Sequence, residues 1–257
     1  MGALESMPEE DVVEQFQEGP TMFENWGPTQ INNLHSLYIA ENHDFGITCT
    51  EFTVLLASAI PEGKVAGHRL IKTFDCEASN MVDVLEVLCG LVVSSETSSI
   101  DWKISKIFDL FDFDKTDQIT YDELFICMFS CLRSMVRVVG KGIEPEDSDV
   151  EKIADEIFLK ADREPTLPIK KSEFVGWVHS EVNFGQKKGQ LKKITLPQLM
   201  LKFDVIEEDD AKDLEQDRLL KIASKPAKVK KKDRKKSHHA GHRKDSKKVE
   251  GIVSVSG

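Results

Sequence analysis

Apolar residues recur along this chain on a helical period that is interrupted at regular places. Ile104, Ile107, Phe108 and Phe111 stand at i, i+3, i+4 and i+7, one face of a helix. About twelve mostly polar residues follow, with Ile119 near the eighth place, and then Glu123 stands directly before Leu124. The arrangement occurs four times. The closing glutamates are Glu51, Glu86, Glu123 and Glu173, each followed by an apolar residue (Phe52, Val87, Leu124, Phe174), and the mid-loop aliphatics are Ile47, Val82, Ile119 and Ile169. Glutamate spacings of 35, 37 and 50 residues define an internal repeat of helix-loop-helix units. Leu70, Ile71 and Phe74 hold the incoming face before the second loop, and Ile157 and Phe158 before the fourth.

Boundary residues fit this division. Ser98 with Asp101, and Ser148 with Glu151, have capping-box spacing at the starts of the third and fourth incoming helices. Gly140 and Gly142 are expected to end the long helix that leaves the third loop, and an acidic linker over 140–149 accounts for the longer last spacing. Beyond Val182 comes a break rich in Gly and Lys, then a stretch at 196–206 with Leu196, Leu199, Met200 and Phe203 on one stripe, then a charged helix near 210–223. The stripe is too apolar to leave in water and predicts a helix docked on the body. The resulting division is an N-terminal segment 1–28, a first lobe 29–99, a second lobe 100–182, a helical extension 183–224 and a basic disordered tail 225–257.

The third loop, 112–123, carries the most specific chemistry. It reads D-F-D-K-T-D-Q-I-T-Y-D-E, and a cation of calcium size takes six to eight oxygens from loop positions 1, 3, 5, 7, 9 and 12. Those places hold Asp112, Asp114, Thr116, the Gln118 carbonyl, Thr120 and Glu123, the last able to give two oxygens. Asp117 stands at the sixth position, where the chain turns with positive φ and glycine is the usual residue; aspartate tolerates that region better than most. The second loop, 75–86, offers a weaker set: Asp75, Glu77, Ser79, Asp83 and Glu86, with Asn80 at the turn. The fourth, 162–173, contains Pro165 and Pro168 and is not expected to hold metal. The first, near 40–51, begins with alanine and puts Phe45 in the turn, and reads as a structural half-hand.

Four such units resemble the EF-hand superfamily of the four-hand calcium-sensor type, that of calmodulin, calcineurin B and the neuronal calcium sensors. The resemblance covers about residues 30–182, and only the third loop is specific by itself. It implies an all-α fold of two lobes, each a pair of hands joined by a short β-bridge through Ile47 with Val82 and Ile119 with Ile169. It also implies Ca2+ as the bound ion and an apolar groove for a target protein helix, with Phe125, Met128, Phe129 and Met135 as its candidate lining.

Composition adds a charge asymmetry. The chain of 257 residues has net charge −11, yet residues 225–248 hold twelve Lys or Arg against Asp233 and Asp245. Setting aside that +10 segment and Glu250 leaves −20 on residues 1–224. An acidic body with a basic, aromatic-free tail points to an acidic protein surface as the tail's partner, with no specific nucleic acid expected. Five cysteines without a C-x-x-C pair argue against a disulfide framework and a zinc site. The acidic start lacks the order of a secretory signal, so the expected compartment is the cytoplasm, with cytoskeletal or ciliary association in the rival reading. Gly2, within Met1 to Ser6, matches the N-myristoylation pattern and is the candidate lipidation position. No nucleophile elbow, phosphate loop or H-E-x-x-H is present, so no enzyme is expected. The leading function is a calcium-binding sensor or adaptor that regulates a partner protein; the rival is a structural scaffold of the same family in a cytoskeletal or axonemal assembly.

Overall fold

Each of the first three loops ends by starting a helix in the same way. Thr48, Asp83 and Thr120 take extended backbone, and their side chains accept the N–H of Glu51, Glu86 and Glu123, one of the donors a first helical turn leaves without a partner. The computed structural model describes residues 26–60, 63–75, 78–182 and 195–224. These form α1 (Pro28–Ala40), β1 (Gly46–Thr48), α2 (Cys49–Ala59), α3 (Gly63–Phe74), β2 (Met81–Asp83), α4 (Val84–Ser94), α5 (Ile100–Phe111), β3 (Gln118–Ile119), α6 (Tyr121–Val139), α7 (Asp147–Lys160), β4 (Ile169–Lys170), α8 (Lys171–Val182), α9 (Leu196–Lys202) and α10 (Glu208–Ser224). The chain is mostly helical. Its only pairings among the described residues are two antiparallel ones, β1 with β2 and β3 with β4, and they set Ile47 opposite Val82 and Ile119 opposite Ile169.

Two helix starts differ from the sequence reading. Ser99, not Ser98, caps α5 by accepting the Trp102 N–H, while Ser98 bonds Ser95 at 2.7 Å. α7 begins at Asp147 with Glu146 as its cap, which places Ser148 inside the helix and sets Asp147 and Asp149 in a first turn that favours negative charge. At the other end of α6, Gly140 closes the helix at φ 69° as expected. Gly142 follows at φ 119°, and a Cβ there would lie 2.5 Å from the Val205 carbonyl, so the linker can approach the segment after α9 only as glycine.

The two pairs of helix-loop-helix units share one core. α4 is buried around most of its circumference, from Val84 to Val92, because it packs on α6 of the second half as well as within the first. Gly90 is the point of closest approach, where a Cβ would stand 2.7 Å from Phe74 Cζ and 3.1 Å from Val138 Cγ2. Phe52, Phe108, Phe111, Phe158 and Phe174 are the largest wholly buried side chains. α9 is shorter than the stretch 196–206 suggested, because Asp204 takes φ 55° and turns the chain; Val205 and Ile206 are nevertheless buried. Among the described residues, no helix is long and apolar enough to cross a membrane. Residues 225–257 and Gly2 lie outside the described residues.

Candidate metal centre

The third loop hangs from its first aspartate. Asp112, 8% exposed at the end of α5, accepts the Thr116 N–H at 2.9 Å and the Asp117 N–H at 3.0 Å, which folds the loop back over its own carboxylate. Asp117 sits at φ 57°, the left-handed turn that the sixth position requires, made without glycine. Asp114 accepts from Thr116 Oγ1 at 2.7 Å, and that hydroxyl lies 3.4 Å from the Gln118 carbonyl oxygen. Asp112, Asp114, Thr116 and Gln118 are thus held together by bonds within the loop. Glu123 closes the far side: its Oε2 accepts the Thr120 N–H at 2.7 Å and the Thr120 hydroxyl at 2.9 Å.

This donor set fits a hard divalent cation in kind, because every group is an oxygen and three are carboxylates. The carboxylates spend their lone pairs on N–H and O–H groups of the loop itself. Accordingly, no three His, Cys, Asp or Glu side chains among the described residues stand close enough together to hold an ion. Glu123 has to give up the Thr120 cap to supply two oxygens.

The other loops differ in what their closing glutamates meet. Glu51 caps Thr48 at 2.8 Å, repeating the arrangement of Glu123. Glu173 accepts the Lys170 N–H at 2.9 Å but also both Nη2 and Nε of Arg163, at 2.9 and 3.3 Å. Burial works against its charge, yet the arginine and the backbone donor hold its carboxyl below the usual range. The Glu86 carboxylate does not bond back to the start of its helix but reaches α6. Its Oε1 lies 2.8 Å from Nε of Arg137 on α6, with the two side chains 4% and 8% exposed. Burial pushes the Glu86 carboxyl up to about 7 against the pull of Arg137 and Arg133. The rest of the second loop repeats the geometry of the third: Asp75 accepts from Ser79 N–H at 2.7 Å and Asn80 N–H at 2.9 Å, Asn80 stands at φ 62°, and Asp83 caps α4. Glu77 lies outside the described residues. Glu123 alone thus combines a gathered set of loop oxygens with no cationic partner among the described residues.

The chain is similar to the calcineurin B proteins of Candida glabrata and Yarrowia lipolytica. Over 150 residues it is 25% identical to the Candida glabrata protein, covering 58% of this chain and 80% of that one. Over 168 residues it is 27% identical to the Yarrowia lipolytica protein, covering 65% and 88%. No family model matches the chain.

Behind the third loop lies an apolar groove formed by α5, α6 and α8, and α9 fills it. Ile104, Ile107, Met128, Met135, Phe174 and Trp177 face Leu196, Leu199 and Phe203 of the α9 segment across a residual cavity of about 100 Å³. Phe108, Phe174, Trp177 and Phe203 form a run of ring contacts at 5.6 to 6.4 Å from α5 to the end of α9. Lys202 pairs with Glu181 at 2.8 Å, and the Ile143 N–H donates to the Val205 carbonyl at 3.0 Å. The fit is incomplete, since buried Trp177 Nε1 has no hydrogen-bond partner among the described residues. Met128 and Met135 line the groove as expected. Phe125 and Phe129 instead stack on each other on another face of α6, with Arg133 over the Phe129 ring. Arg137 was not read from the sequence, and its distance of 51 positions from Glu86 leaves no local signal. Arg163 was within reach, being a basic residue at the second position of the loop it closes.

Proposed function

We propose that this chain is an EF-hand protein of the four-hand type, a calcium-responsive regulatory partner of another protein and not an enzyme. Calcium is taken up in the third loop by Asp112, Asp114, Thr116, the Gln118 carbonyl, Thr120 and Glu123, and would supply the positive charge and the oxygen demand that draw these groups inward. The observation that carries this reading is the third loop's combination of oxygens held together on Asp112 and Asp114 with a closing glutamate that has no cationic partner among the described residues. Glu173 is matched by Arg163 and Glu86 by Arg137, and Glu51, capped like Glu123, closes a loop that begins with alanine.

The partner in this reading is an amphipathic helix of a target protein, which takes the groove now filled by α9. A seven-residue helix that leaves a cavity and an indole N–H without a partner among the described residues is a replaceable occupant. The similarity to proteins named as subunits supports a role inside a larger assembly. Its setting is the cytoplasm, where the basic tail adds salt-sensitive contact with an acidic protein surface. Apolar-dye fluorescence of the full chain with calcium and with chelator tests the reading. Calcium should raise it, and a variant cut at Gly189, lacking α9, should be bright in both conditions. Equal and dim signals from all four samples would contradict it.

A further inference from the structure

The second loop keeps the hand fold except at its last residue, and that residue reaches the other half of the molecule. Glu51, Glu123 and Glu173 each accept a backbone N–H three residues back, from Thr48, Thr120 and Lys170. Glu86 instead extends to Arg137, whose Nη1 also donates to the Phe74 carbonyl at the end of the loop's incoming helix. Asp75, Ser79, Asp83, Glu86, Arg133 and Arg137 line one cavity of about 290 Å³. The loop oxygens and two guanidinium groups therefore face the same space. Although Nε of Arg137 and Oε1 of Glu86 are 2.8 Å apart, neither atom has an aligned hydrogen bond among the described residues. Oε1 of Glu86 is thus buried beside the charge of Arg137, whose Nε also lies 3.6 Å from Oε1 of Glu144, and it keeps acceptor capacity.

We propose that Arg137 is the resident cation of the second loop: its guanidinium takes the place of a metal's charge, ties the closing carboxylate to the second half, and masks a latent calcium site. The proposal deepens the hand assignment. A guanidinium on the loop's cavity repels a dication at close range, and the same carboxylate cannot serve both. Because α6 carries Glu123 in its first turn and Arg137 near its end, the helix that closes the third loop also closes the second.

Calcium calorimetry on four full-length proteins tests this: wild type, Arg137→Gln, the pair Glu86→Gln with Arg137→Gln, and Glu86→Gln alone. Arg137→Gln should bind one more calcium ion per chain than wild type, and the double variant should lose that ion. Arg137→Gln binding no more than wild type, or the double variant keeping the added ion, overturns the proposal. Glu86→Gln alone keeps a polar group beside Arg137 and serves if Arg137→Gln does not fold: it should bind as many ions as wild type. Loss of an ion in that variant would show Glu86 already acting as a ligand, which also overturns the proposal. Should wild type bind none while Arg137→Gln gains a Glu86-dependent ion, the third-loop assignment fails and this one stands.

Discussion

Gly90 shows how closely a single residue governs the joint between the halves. With Phe74 Cζ 2.7 Å from the place of a Cβ, Gly90→Ala has to displace a buried ring, and it should cost about 1–3 kcal/mol. Thermal melting with unchanged far-UV helicity is the check; a stabilised variant would mean the ring yields freely. His35 is a second such residue. Its Nδ1 lies 2.8 Å from Nζ of Lys106, and burial followed by the charge of Lys106 lowers the histidine from 6.5 to about 4. The unfolded chain takes up a proton near pH 6.5 that the folded chain refuses until about pH 4. Stability from this site is therefore complete above pH 6.5 and is lost as pH falls toward 4. In chelator-containing buffer, His35→Phe should flatten the fall in melting temperature between pH 6.5 and 4.5; an unchanged slope would show that His35 does not titrate in this way.

At the scale of elements, α9 is held by apolar contact more than by its own length, since seven residues are too few to be helical alone. Met200 is wholly buried, so Met200→Ala should lower the melting temperature, with a cost of about 2–5 kcal/mol, and should raise apolar-dye fluorescence. No change in either would place α9 off the groove. The stripe of Leu196, Leu199, Met200 and Phe203 made this docking legible, because burial follows from helical period. The repeat puts Ile47 and Val82, or Ile119 and Ile169, at equal places in their loops, and their pairing across a β-bridge followed from the resemblance to the EF-hand superfamily. Helix starts were legible only to within a residue or two, since Ser98, Ser99 and Ser148 all have capping chemistry and tertiary packing decides among them. The ties between Glu86 and Arg137 and between His35 and Lys106 were not legible. They join side chains 51 and 71 positions apart, each ordinary on its own helix.

In the whole molecule, four similar loops differ in what their closing carboxylates meet: arginines at the second and fourth, and a threonine cap at the first and third. An arginine from across the molecule meets the second glutamate and an arginine within the fourth loop meets the fourth, and the halves are joined through α4 and α6 into one core. The third loop keeps Asp112, Asp114, Thr116 and Gln118 together and its glutamate without a cationic partner among the described residues. Glu123→Gln isolates this difference: it keeps size and helix propensity, removes one charge, and leaves the apolar contacts of Ile107, Phe108, Leu124 and Met128 in place. The decisive measurement is calorimetric calcium titration, with physiological magnesium present, of wild type and Glu123→Gln, each shown by far-UV circular dichroism to be equally helical. Wild type should bind calcium with a dissociation constant on the order of 10⁻⁷ to 10⁻⁵ M, and Glu123→Gln should lose that site. Equal uptake by both proteins, or none by the wild type, would contradict the account.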